Sequence, residues 1–135
     1  MSTVWTATQS YLKRPKSATQ CNFIFKPGDA FFLHCGFTTT WDSLSTEQKH
    51  QYRENPLVKK HKHSGLIQSE AVARFIWDNH VVAVAAEGVS FEERPNRDSE
   101  WSMYHVLLAC WGVPIGEMCD LERLAELRKK LNRWA

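Results

Sequence analysis

The sequence predicts an α/β domain, a small sheet covered by helices, and three observations carry that prediction. Val81-Val82-Ala83-Val84-Ala85-Ala86 is continuously apolar, short and rich in β-branched residues, which suits a strand buried on both faces. Ala30-Phe31-Phe32-Leu33 is a second apolar run, preceded by the turn signal Pro27-Gly28-Asp29 and followed by Gly36. Between and after these runs, residues recur at helical spacing: Val72, Phe75, Ile76 and Asn79, then Trp101, Tyr104, His105, Leu108 and Trp111 or Gly112, then Leu121, Leu124, Leu127 or Arg128, and Leu131. Strands alternating with helices in this order describe an α/β layer arrangement.

Taken in order, residues 1–19 are polar and rich in Ser, Thr and Gln, with Val4, Trp5, Tyr11 and Leu12 as the only anchors, and read as an N-terminal arm. Residues 20–135 form a single domain. Thr38 to Trp41 reads as loop. Ser45-Thr46-Glu47-Gln48 has the form of a capping box and opens a polar helix that ends before Pro56. Lys59-Lys60-His61-Lys62-His63 is a basic cluster of the kind that forms a solvated loop, and no partner is assigned to it. Ser69-Glu70 opens the next helix, which carries His80 at its C-terminal end, where the macrodipole favours a cation. After the Val81 strand the chain turns acidic at Glu87, Glu92 and Glu93 and re-enters a helix that stops at Gly112. Val113-Pro114-Ile115-Gly116 then turns the chain and delivers Glu117 just before a helix capped by Asp120 and ending in Arg128-Lys129-Lys130. A sheet of three or four strands has edges that call for a partner subunit.

At 135 residues with 43% hydrophobic content, one domain can bury about two thirds of its unfolded surface. The net charge of +2 comes from 17 basic and 15 acidic residues scattered along the chain, so no footprint for nucleic acid or an anionic membrane stands out. No segment reaches the roughly 20 apolar residues needed to span a bilayer, and the N-terminus lacks the core of a secretory signal. A cytoplasmic protein is the expectation. Cys21, Cys35, Cys110 and Cys119 show no C-x-x-C or zinc-ribbon spacing and read as free thiols. Six tryptophans in so short a chain point to a homo-oligomer, a dimer or larger, or to an aromatic pocket.

His105 and Glu117 lie on the two arms of one helix-loop unit and are the candidate catalytic pair. His105 is either a general acid or base or a packed histidine bonded to backbone. Glu117 either holds the imidazole tautomer, or takes a proton itself, or caps the Asp120 helix. His34 and Cys35 end a strand, where α/β folds present functional groups. Cys35 is either a nucleophile served by a nearby base or a buried thiol. Phe37, Trp41, Trp101 and Trp111, with Tyr104 and Glu87, complete the candidate substrate-binding set, which suits an apolar, natural-product-like molecule.

These stretches resemble the C-terminal half of the cyclase family that includes bacterial kynurenine formamidases, and more closely its fungal members. The pieces that carry the resemblance are 25–37 (FKPGDAFFLHCGF), 65–70 (GLIQSE) through 75–80 (FIWDNH), 81–92, and 105–108 (HVLL) through 111–117 (WGVPIGE) to 120–125 (DLERLA). The resemblance spans about residues 21–131 and implies a swivelling β/α/β fold, a homo-oligomer and an active site near a subunit interface. Family members hold a metal chiefly through an N-terminal His-x-Gly-Thr-His-x-Asp motif, completed by a later His and Glu, which His105 and Glu117 match. The N-terminal motif has no counterpart here, because the chain starts after the region where it would lie. The family's last strand is also missing, so the chain looks truncated relative to the family. Where relatives have Asp-Ala-Pro, this sequence has Glu87-Gly88-Val89. Two residues hold zinc or manganese too weakly, so no metal and no cofactor are expected.

The reading that follows is a metal-independent enzyme of cyclase, isomerase or lyase type. It would promote cyclisation, isomerisation or elimination on a small apolar biosynthetic intermediate of secondary metabolism. The alternatives are a non-catalytic binding or scaffold paralogue of a full-length cyclase, and a metal-dependent amide or lactone hydrolase with ligands supplied in trans.

Overall fold

A computed structural model describes residues 4–6, 25–54, 63, 65–96 and 100–131. Among these residues four strands, β1 (Val4–Thr6), β2 (Ala30–Leu33), β3 (Ala83–Ala86) and β4 (Ile115–Gly116), form one sheet in that spatial order. Every pairing is parallel, with Phe31 opposite Val84, Leu33 opposite Ala86 and Ala85 opposite Gly116. The two apolar runs thus become the central strands, and Phe31, Leu33, Val84 and Ala86 are all buried. The expected run from Val81 is strand only from Ala83; Val82 is exposed, while its N–H still donates to the Asp29 carbonyl at 3.0 Å. Val4–Thr6, expected in an arm, pairs with β2 as an edge strand. The remaining arm residues and most of the Lys/His cluster lie outside the described residues.

Among the described residues, five helical segments accompany the sheet: α1 (Phe37–Ser43), α2 (Thr46–Glu54), α3 (Glu70–Asp78), a π-helix (Tyr104–Cys110) and α4 (Glu122–Leu131). The capping box at α2 forms as expected: the Gln48 amide donates to the Ser45 hydroxyl at 3.2 Å and the Ser45 amide to the Gln48 side chain at 2.8 Å. Ser69 caps α3 by accepting from the Val72 amide. That helix buries Ala73 and Ile76, while Phe75 meets Phe25 and Phe31 edge to face. Among the described residues, no helix is long and apolar enough to cross a membrane.

Two expectations are corrected. Thr38 to Trp41, read as loop, lies within α1: Gly36 adopts a left-handed φ of 74°, and its carbonyl accepts from the Thr40 amide and hydroxyl. A carboxylate from elsewhere in the chain supplies what the local sequence lacks to start this helix, as described below. The helix after residue 100 is also phased differently. Met103, Val106 and Leu107 face the core, whereas His105 and Leu108 are exposed. The buried Glu92 carboxylate accepts the Met103 amide at 2.6 Å, which fixes the inward face. The turn then widens, with the Trp111 amide reaching back five residues to Val106 at 3.1 Å.

Gly65 lies where two backbone segments cross. The Leu66 amide donates to the Phe91 carbonyl and the Glu93 amide to the Leu66 carbonyl, each at 2.8 Å. A Cβ on residue 65 would overlap the Glu92 carbonyl group and stand 2.8 Å from the Glu93 nitrogen, with backbone on both sides unable to yield. Gly65→Ala is expected to destabilise the domain by about 1–3 kcal/mol through overpacking. Urea unfolding monitored by tryptophan fluorescence would read this, and an unchanged midpoint would show that the crossing is looser than described.

Candidate functional site

Parallel strands bring their carboxyl ends to one edge of the sheet, where α/β folds gather functional groups. Two polar clusters form there. The first begins with the pairing of Leu33 and Ala86, which sets the next residues, His34 and Glu87, side by side. Glu87 is 1% exposed, so its charge must be compensated from within the protein. Its Oε2 accepts three successive amides, from Cys35 at 2.8 Å, Gly36 at 2.7 Å and Phe37 at 3.3 Å. The Gly36 and Phe37 amides are among those that α1 would otherwise leave unpaired, and with Cys35 they form an anion-binding nest.

Glu87 Oε1 points the other way, 3.5 Å from His34 Nε2, and both atoms are buried without a hydrogen-bond partner. Glu122, at the start of α4, places its Oε1 3.4 Å from the same Nε2 and accepts from the Thr39 hydroxyl. That hydrogen bond, ahead of the nearby His34, holds the Glu122 carboxyl below the usual carboxylate range. Cys35 beside this cluster has its thiol pushed up, first by burial and also by the Glu87 carboxylate. This favours the neutral thiol over a nucleophile.

The second cluster joins the π-helix to the end of β4. Tyr104 donates its hydroxyl proton to Glu117 Oε1, and the same oxygen accepts the Phe91 amide at 2.8 Å. The phenol oxygen also lies 3.0 Å from the Ser90 hydroxyl and accepts from the Phe91 amide at 3.1 Å, while the Arg94 guanidinium covers its ring. Burial, and then the hydrogen bond to Glu117, push the Tyr104 hydroxyl above its ordinary pKa of 10.0. Glu117 itself is exposed, and its second oxygen has no partner among the described residues.

The sequence candidates therefore separate. Glu117, expected to orient His105, is engaged instead by Tyr104 and the Phe91 amide, and exposed His105 has no side-chain partner among the described residues. The four aromatic candidates do not share one wall. Phe37 stacks on Trp41, which meets Tyr52 and lies under Lys49, whereas Trp111 packs against Trp77. Trp101 is half-buried against the main core. They divide because Phe37 and Trp41 are on α1, whereas Trp111 follows the π-helix on the other side of β3. Glu122 escaped the sequence reading because a glutamate in a helix's first turn looks like a response to the dipole. Among the described residues, the group of three potential metal ligands that converges is His34, Glu87 and Glu122. His105 and Glu117 are not part of it.

No family model and no curated protein matches this chain. A solved crystal structure of a protein described as a novel cyclase superposes with a TM-score of 0.69 at 18% identity, covering 97% of this chain. This chain spans 45% of the length of that protein. The similarity establishes a cyclase-like α/β fold.

The raised Tyr104 pKa has a measurable consequence. A phenol whose folded pKa exceeds its unfolded value contributes stability that is fully present below about pH 10 and lost as the pH rises through the folded value. Difference absorbance between wild type and Tyr104→Phe isolates this phenol from the other two tyrosines. It should ionise above pH 10, and Glu117→Gln should lower its pKa. Ionisation at or below 10, or no response to Glu117→Gln, would contradict the coupling.

Proposed function

We propose that this chain is an acid-base catalyst of cyclase type, acting in the cytoplasm on a small apolar intermediate and promoting ring closure, isomerisation or elimination. The observation that carries the reading is the Tyr104-Glu117 hydrogen bond at the carboxyl edge of the sheet, with the Phe91 amide on the same oxygen. Glu117 Oε1 is held by two donors, which leaves Oε2 to take a proton from the substrate. Tyr104, kept protonated by its surroundings, donates to Oε1 and holds the carboxylate in place for the transfer. His105, the next residue along the π-helix, is the second proton carrier and serves the oxygen or carbon on which charge develops. Proton transfer of this kind asks for no metal at Glu117. The kynurenine formamidase-like resemblance enters through His105 and Glu117, and the fold of the cyclase-like neighbour is compatible with it.

Glu117→Gln should lower kcat by about 10²- to 10⁴-fold with KM little changed, since general acid-base groups contribute on that scale. Tyr104→Phe should cost less, and the double variant should be little worse than Glu117→Gln, because residues acting as one unit are non-additive. The assay is a panel of apolar substrates capable of ring closure or dehydration, with aromatic formamides and lactones alongside. Full turnover by Glu117→Gln would overturn the proton-transfer role, and no turnover of any class by wild type would favour the binding-module alternative.

The same reading places the working site against a second copy of the chain. Its support is the exposed apolar surface near the site, where Leu108 is 47% and Met118 71% exposed. Light scattering should therefore report at least twice the 15.6 kDa chain mass. A monomer at micromolar concentration would remove the shared site.

A further inference from the structure

We infer that His34, Glu87 and Glu122 form a binding site for a zinc-type divalent cation, apart from Tyr104 and Glu117 and independent of the acid-base reading. The three donor atoms lie within 4.8 Å of one another. A tetrahedral ion about 2.1 Å from each ligand spaces its donors about 3.4 Å apart. His34 Nε2 stands 3.5 Å from Glu87 Oε1 and 3.4 Å from Glu122 Oε1. A protonated imidazole paired with a carboxylate would close to about 2.7–2.9 Å. Here the nitrogen sits between two carboxylates at the wider spacing that an ion between them would set.

Burial makes the arrangement more than a surface coincidence. Glu87 has a side chain 0% exposed, and its Oε1 is unpartnered, as is His34 Nε2. Leaving two buried polar atoms unpaired is costly, and a cation between them satisfies both. The surrounding bonds pre-organise the donors, as outer-shell contacts do in metal sites. Three backbone amides anchor Glu87 Oε2 and aim Oε1 at the imidazole, and the Thr39 hydroxyl holds Glu122. One imidazole nitrogen with two carboxylate oxygens suits zinc or manganese better than magnesium or calcium, and three protein ligands leave a fourth position for water. An ion there would tie together the ends of β2 and β3 and the first turn of α4.

The test is titration of the chelator-treated full chain with Zn²⁺ by calorimetry. One ion per chain is expected, with affinity reduced about 10- to 100-fold or more in Glu122→Gln and His34→Gln. Glu122 is at the surface end of the cluster, so Glu122→Gln should keep the wild-type circular dichroism and separates ligand loss from misfolding. Replacing both His61 and His63 with Gln should leave the affinity unchanged. With Co²⁺ as probe, the visible spectrum should show a nitrogen and oxygen ligand set. Absence of stoichiometric Zn²⁺ binding would overturn the assignment. So would affinity unaffected by Glu122→Gln, loss of binding with the His61 and His63 replacements, or a thiolate-to-cobalt charge-transfer band.

Discussion

The Glu87 carboxylate, buried at the end of β3 and held by three amides from the end of β2, is the interaction on which the carboxyl edge of this domain depends. A carboxylate taken out of water loses several kcal/mol of hydration, and only charge-assisted hydrogen bonds of good geometry offset that. The amides of Cys35, Gly36 and Phe37 converge on one oxygen because Gly36 adopts a left-handed conformation that residues with a side chain rarely reach. In return the anion satisfies the amino-terminal end of α1, a helix with no side-chain cap of its own. Strand end, turn and helix start are therefore mutually dependent, and a residue at position 87 with no side-chain acceptor would leave the turn's amides without a partner.

A second buried carboxylate performs the matching task on the other side of β3. Glu92, 0% exposed, accepts the Met103 amide and lies 3.4 Å from an Arg94 guanidinium nitrogen. By fixing Met103 it sets the rotation of the π-helix, so Val106 and Leu107 enter the core and Tyr104 is carried toward Glu117. Packing and polar geometry are linked here. The same rotation that buries two aliphatic side chains aligns a phenol with a carboxylate, and the Phe91 amide, immediately before Glu92, completes that pair.

The two clusters share one edge of the sheet but differ in kind. Around Glu117 the hydrogen bonds are closed on one oxygen and the other meets solvent, which suits exchange of a proton with a bound molecule. Around Glu87 an imidazole nitrogen stands 3.5 and 3.4 Å from oxygens of two carboxylates, one of them fully buried. Two carboxylates gathered at a buried place call for positive charge, whereas the Tyr104 side already holds its proton.

The sequence by itself determined the elements whose signals are local. The central strands follow from two apolar runs, α2 from a reciprocal capping box and α3 from Ser69 and an apolar stripe, because periodicity and capping are properties of residues a few positions apart. It also marked His34, Glu87, Tyr104 and Glu117 as residues of interest. Only the tertiary structure decided which of them meet. Glu87 reaches amides 50 to 52 positions away, and Glu122 reaches Thr39 across 83. Contacts of that range leave no trace in local pattern, so α1 reads as loop and Glu122 as a helix-dipole residue. The phasing of the π-helix was likewise hidden, since two overlapping sets of residues share helical spacing and a buried carboxylate outside the helix chooses between them.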